Sequence, residues 1–278
     1  MNYKSLLKSY ALLPRKRFSQ NFLTDKNVAI RIVECLNLME DDTVIEIGPG
    51  LGLLTEGLLS SGARVIAIEI DRDLTGRLRE RFCDCNNLEI ISADALKISY
   101  KEFAAHRKEK LKVVSNLPYN ISTPIIFKLL EEREFFSMFL FMLQREVAQR
   151  IVSPPDTKEY GVLSVMVQLL ADVKIEFDVP PSCFYPVPKV YSSVVRFNIL
   201  GKPRVEADDI DFFKKVVKAS FGQRRKTLLN ALKSFNIKST QLVELLNIIN
   251  IDIKRRGETL TLEEFGILSR ELKKLKGD

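Results

Sequence analysis

Thr43-Val44-Ile45-Glu46-Ile47-Gly48-Pro49-Gly50-Leu51-Gly52-Leu53 is the stretch on which the fold turns. Its β-branched opening reads as a strand. Leu53–Ser60 has apolar residues at helical spacing. Between them, glycines at alternate positions let the backbone turn sharply and approach a ligand closely. The spacing is Gly-x-Gly-x-Gly, with Leu53 where a dinucleotide fingerprint needs its third glycine. It leans away from a pyrophosphate and toward a compact nucleoside without phosphates.

Outward from this turn, strand and helix patterns alternate. Thr43–Ile47, Arg64–Ile70, Leu88–Ser92, Lys112–Ser115 and Met138–Leu143 read as strands, with helical segments at Leu53–Ser60, Leu74–Cys83, Pro124–Glu132 and Arg145–Ile151 between or after them. Such alternation predicts an α/β fold with a doubly wound parallel sheet. Met138–Leu143 is apolar throughout, as a strand covered on both faces should be. Val173–Val179 and Ser192–Asn198 read as a terminal antiparallel pair around the proline-rich stretch 180–188. The texture changes at Gly201-Lys202-Pro203. Four helical patterns follow, at Ile210–Phe221, Arg225–Ser234, Thr240–Leu246 and Leu262–Lys274, the last behind a Thr261-x-x-Glu264 capping box. The expected domains are therefore 1–202, α/β with a basic arm, and 203–278, small and all-helical.

Composition narrows the chemistry. The 278 residues are 46% hydrophobic and 28% charged, ordinary for a soluble protein. Apolar runs are too short to span a bilayer, and no secretory signal is evident, so a cytoplasmic protein is expected. Cys35, Cys83, Cys85 and Cys183 read as reduced thiols, without the partners a zinc site needs. His106 is the sole histidine, which excludes His-metal clusters and Ser-His-Asp catalysis. No metal is expected. The net charge of +7 is uneven: +5 over residues 1–26, −4 over 27–200 and +6 over 201–278. Basic ends around an acidic middle suit a polyanion, though solvated surface gives the same pattern.

Polar residues end successive strands, where open α/β sheets bind ligands. Glu69 could accept hydrogen bonds from ribose hydroxyls. Asp94 could accept one from an adenine amino group or serve as an ordinary cap. Asp71 and Asp73 read as charges at a helix start. Asn116-Leu117-Pro118-Tyr119 joins an amide, a rigid proline and a ring at the end of a buried strand, a set suited to the exocyclic amine of a base; a plain turn is the alternative. Upstream, Arg15-Lys16-Arg17 could contact phosphate, and Asn21 with Leu23 could close over a ligand. Downstream, Phe184 and Tyr185 stand in a proline-stiffened loop, for base stacking or for core packing. Arg224-Arg225-Lys226 suits a nucleic-acid backbone.

Taken together, Gln20–Leu23, Glu46–Gly52, Glu69, Asp94, Asn116–Tyr119, Val179–Val190 and Phe221–Leu229 closely resemble the ribosomal RNA adenine dimethyltransferase family, of the small-subunit type. Arg256-Gly257-Glu258 departs from the family's Arg-Ala-Glu and leaves the start of a helix open. The resemblance implies a Rossmann-like, seven-stranded methyltransferase core using S-adenosylmethionine. Asn21, Leu23, Gly48, Glu69, Asp94 and Asn116 would line the donor site. Asn116, Leu117 and Tyr119 would hold the target adenine, and Phe184 would stack on it. Arg224, Arg225 and Lys226 would bind RNA. The implied partner is the small ribosomal subunit precursor, met by a monomer. Two alternatives stay open: a large-subunit methyltransferase of the antibiotic-resistance type, and a non-catalytic assembly or transcription factor on the same fold.

Overall fold

The computed structural model describes residues 21–105, 109–207, 209–222 and 226–277. The basic arm before Asn21, His106, Arg224 and Arg225 lie outside the described residues. The described chain divides into two compact units. One holds the residues up to Ala148 with Lys174–Ile199, and the other holds Gln149–Val173 with the residues from Leu200.

The first unit opens with β1 (Phe22–Leu23) and α1 (Lys26–Cys35), which Asp25 caps through the amides of Asn27 and Val28. There follow β2 (Thr43–Ile47), α2 (Leu53–Ser60), β3 (Arg64–Glu69), α3 (Arg72–Arg81) and β4 (Leu88–Ser92). After the short α4 (Lys101–Ala104) come β5 (Leu111–Asn116), α5 (Ser122–Glu131) and β6 (Phe136–Gln144). Helix α6 (Arg145–Val152) runs from the first unit into the second, and α7 (Val162–Leu170) belongs to the second; β7 (Ala171–Val179) returns to the first, followed by β8 (Phe184–Tyr185) and β9 (Ser192–Ile199).

Seven strands form one sheet in the order β4-β3-β2-β5-β6-β9-β7. β2 to β6 pair in parallel, and β9 runs antiparallel to β6, Gln144 opposite Ser192. The sheet is the doubly wound one expected from the strand-helix alternation, and it has the Rossmann-like, seven-stranded form that the resemblance implies. All five residues of β2 are buried, Glu46 included. A separate two-stranded ribbon pairs β1 with β8, Phe22 opposite Tyr185 and Leu23 opposite Phe184.

In the second unit, α8 (Ile210–Phe221), α9 (Leu228–Leu232), α10 (Ser239–Ile248) and α11 (Leu262–Lys276) follow the Gly201-Lys202-Pro203 break. Their core is aromatic: Phe221 stacks on Phe265 at 6.0 Å and meets Tyr160 edge-on at 5.8 Å. The capping box forms, with the Glu264 amide donating to Thr261 Oγ1 at 3.2 Å and the Thr261 amide to Glu264 Oε2 at 2.8 Å. A 3₁₀ turn spans Gly257–Thr259. A Cβ on Gly257 would lie 2.5 Å from the Ser220 carbonyl oxygen, so close backbone approach explains the glycine there. Helix α7 had no place in the sequence reading. The Arg204 amide donates to the Leu169 carbonyl at 2.8 Å and the Leu200 amide to that of Leu170 at 3.0 Å, which ties α7 to the C-terminal segment. Among the described residues, no helix is long and apolar enough to cross a membrane.

The glycine turn after β2 sets the geometry of everything above it. Gly52 has φ +79°, and a Cβ there would meet the Phe82 ring at 2.6 Å and Leu78 at 3.0 Å. A left-handed conformation costs a residue with a Cβ roughly 1–2 kcal/mol before any clash. Gly52→Ala is therefore expected to lower unfolding stability by about 2 kcal/mol or more. Gly201→Ala, whose Cβ would meet nothing within 4 Å, should be close to neutral. Denaturant titration of both variants measures the contrast.

Candidate active site

One pocket opens over the carboxyl ends of β2, β3, β4 and β5, the crevice that open α/β sheets offer to ligands. Asn21, Leu23, Gly48, Glu69, Asp94, Asn116, Leu117 and Tyr119 all line it. Residues separated by most of the first unit's sequence thus come together as the strand-end reading anticipates.

Each polar group is held in a defined orientation. Glu69 is 4% exposed. Its Oε2 accepts from the Gly50 amide at 3.2 Å and its Oε1 from the Asp71 amide at 2.9 Å. Burial pushes its carboxyl above the usual range, against the pull of those amides. Asp71 itself caps α3, accepting from the Asp73 amide at 3.0 Å. Asp94 lines the pocket, and its Oδ1 accepts from the Leu96 amide at 3.0 Å as a turn-former.

At the end of β5, Asn116 Nδ2 donates to the Asn21 carbonyl oxygen at 2.8 Å. That bond fixes the amide and commits the remaining oxygen, Oδ1, to the acceptor role. The Tyr119 hydroxyl lies 3.2 Å from Ser192 Oγ, and the Ser122 hydroxyl donates to the Tyr119 carbonyl at 3.2 Å. Burial raises the phenol's pKa, partly opposed by the bond to Ser192. Tyr119 is thus held neutral, with a fixed ring, beside the Asn116 acceptor.

Two residues stand apart from the rest of the sequence reading. Phe184 is completely buried (0% exposed), packed with Leu23, Val179 and Cys183, and it does not line the pocket. Its pairing with Leu23 in the β1–β8 ribbon sets it in the core, the second of the two places the sequence allowed. The other residue is Glu46, to which the sequence reading gave no role. It lines the pocket at 1% exposure and accepts from the Thr55 hydroxyl at 2.6 Å. A lone carboxylate in a fully buried strand was the signal that could have found it. Of the basic cluster, only Lys226 is described; it is exposed and belongs to the second unit.

The pocket's charge is one-sided. Glu46, Glu69 and Asp94 contribute three carboxyl groups, and no Lys or Arg lines it among the described residues. A polyphosphate would be repelled; a nucleoside carrying positive charge would be drawn in. Sheet order and pocket together are those of a Rossmann-like α/β protein with an acidic ligand crevice at the carboxyl ends of its parallel strands.

Comparison with known proteins narrows the class. Residues 12–272 match the family described as "Ribosomal RNA adenine dimethylase". The chain is 46% identical to the "Ribosomal RNA small subunit methyltransferase A" of Geobacter metallireducens, over 95% of this chain and 97% of that one. It is 44% identical to the protein of that name from Clostridium acetobutylicum, over 98% of both. Among solved structures, a dimethyladenosine transferase from Plasmodium falciparum superposes with a TM-score of 0.76 at 26% identity, covering 92% of this chain and 98% of that one. The 23S rRNA methyltransferase ErmE gives 0.69 at 26%, covering 91% and 100%. The chain belongs to the ribosomal RNA adenine dimethylase family.

Glu46 carries a prediction about stability. Burial pushes its pKa up from 4.5 to about 7, and the Glu69 charge adds to the rise. Between those values the folded protein holds a proton that the unfolded chain has released. Stability is therefore greatest below pH 4.5 as far as this group is concerned, and falls as pH rises toward 7. One group contributes a slope of at most about 1.4 kcal/mol per pH unit. Glu46→Gln should flatten the slope of ligand-free unfolding stability between pH 5 and 7, measured by denaturant titration at each pH.

Proposed function

We infer that this protein transfers methyl groups from S-adenosylmethionine to the exocyclic amine of adenine in small-subunit ribosomal RNA, giving N6,N6-dimethyladenosine. The observation that carries this reading is the acidic pocket, without a Lys or Arg among the described residues that line it, which Asn116 and Tyr119 share. When bound, the donor supplies an electrophilic methyl on a positively charged sulfur. Glu69, its two oxygens oriented by backbone amides, is suited to receive ribose hydroxyls; Asp94 is suited to receive an amino group. Asn21, Leu23 and Gly48 complete the walls.

An adenine amine is a poor nucleophile because its lone pair is delocalised into the ring. The Asn116 Oδ1 and the Leu117 carbonyl would accept its two N–H bonds, drawing the nitrogen toward tetrahedral geometry and stabilising the charge that develops there. Tyr119 would stack on one face of the base, clear of the stacked duplex. No residue need act as a strong base, since the proton is acidic once the nitrogen is alkylated and water can take it. The C-terminal helices from about residue 203, with Arg224, Arg225 and Lys226, are read as the RNA-binding domain. The working form is read as a monomer in the cytoplasm. The large-subunit alternative finds less support, because full-length identities of 44–46% are to small-subunit enzymes and 26% to ErmE. The retained Asn116, Tyr119, Glu69 and Asp94 speak against a non-catalytic factor.

Two experiments test this. Asn116→Ala should lower kcat on undermethylated small subunits by about 10²–10³-fold, the loss typical of one such acceptor or donor, with RNA binding nearly intact; full turnover would refute the role. Glu substitutions at Arg224, Arg225 and Lys226 should weaken RNA binding and flatten its dependence on salt. Filter binding across a salt series measures both effects.

A further inference from the structure

Residues 186–191, Pro186-Val187-Pro188-Lys189-Val190-Tyr191, join β8 to β9 and have no part in the chemistry described above. Both ends of the loop are anchored. Tyr185 pairs with Phe22 on one side. On the other, the Arg145 amide donates to the Tyr191 carbonyl at 3.0 Å and Ser192 pairs with Gln144. Between the anchors, Val187 is 64% exposed, Val190 44% and Tyr191 48%. Single exposed apolar residues need no explanation, but three within five positions make a patch, and patches mark contacts. Two prolines limit the loop's freedom, so little order remains to be imposed on binding.

Its position indicates what it contacts. Ser192, the next residue after Tyr191, touches the Tyr119 hydroxyl at 3.2 Å, and Tyr119 lines the pocket. The loop therefore ends one residue short of a side chain that touches a pocket-lining ring. Positive charge accompanies it: Lys189 is exposed, and the half-exposed Arg145 guanidinium lies 3.5 Å from Asp178. An aromatic ring with cations beside a base pocket is the arrangement that binds single-stranded nucleic acid. We propose that Tyr191, with Val187 and Val190 in the same loop and Arg145 and Lys189 for the phosphate, is a stacking platform for the nucleotide adjoining the target adenine. The platform rests on the RNA-methylation reading and extends it by a flanking subsite.

The test is steady-state methylation of undermethylated small subunits by Tyr191→Ala, Tyr191→Leu and Tyr191→Trp, with donor affinity measured separately by calorimetry. Loss of one stacked base should raise KM for the subunit about tenfold in the Ala and Leu variants. The Trp variant should retain the wild-type KM, and kcat and donor affinity should not change. Wild-type KM in the Leu variant, or an equal loss in the Trp variant, overturns the platform. A wild-type enzyme that modifies no RNA would overturn the underlying reading instead. A benzophenone side chain installed at position 191 gives a second readout. It should crosslink to the RNA next to the methylated site; crosslinking to a ribosomal protein would show a protein contact and overturn the proposal.

Discussion

The order of the parallel strands governs this molecule. β2 lies at the centre, with β3 and β4 to one side and β5 and β6 to the other. Crossovers between parallel strands are right-handed, so a chain that winds outward through β3 and β4 and then returns to the far side of β2 must change the face its helices cover. The crevice left at that reversal lies over the carboxyl ends of β2 and β5. Glu46, Glu69, Asp94 and Asn116 reach one pocket because each ends, or stands near the end of, one of four adjacent strands. The helices need only cover the sheet.

Gathering carboxylates in a buried crevice is costly. Desolvation disfavours their charged forms, and each charge disfavours the other. At an effective dielectric near 20, two unit charges about 4 Å apart interact by about 4 kcal/mol. The chain relieves this strain in two ways. Backbone amides of Gly50 and Asp71 stabilise the Glu69 carboxylate, while Glu46, bonded to Thr55, holds a proton up to about pH 7. The pocket thus gives up stability when empty and regains it with a cation, as binding sites often do relative to cores.

The parts legible in sequence were those with local causes. β2, α2, β4 and α8 fall where periodicity put them, and Thr261 caps α11 as its Thr-x-x-Glu spelling requires. The strand-end ligands were legible because parallel strands place their ends together. Phe184 was not. Its burial depends on a two-residue pairing with Leu23, too short for any periodic signal and between partners far apart in the chain. Glu46 was masked by its own motif, read for its glycines. The affiliation of α7 with the C-terminal helices rests on backbone bonds from Leu200 and Arg204, which leave no trace in composition.

The Asn116–Asn21 bond explains why an amide, and not a carboxylate, stands at the end of β5. An Asp at 116 would set a carboxylate oxygen against the Asn21 carbonyl, two acceptors facing one another with no proton to share. The strap from β5 to the segment leading into β1 would open, and β1 is the partner of β8. With Asn, the Nδ2 group is consumed by the strap, and Oδ1 is the atom left for a substrate amine. The orientation of the acceptor is thus settled in the folded protein before any ligand arrives. The bond joins two residues that both line the pocket, so neither can be lost without disturbing the other.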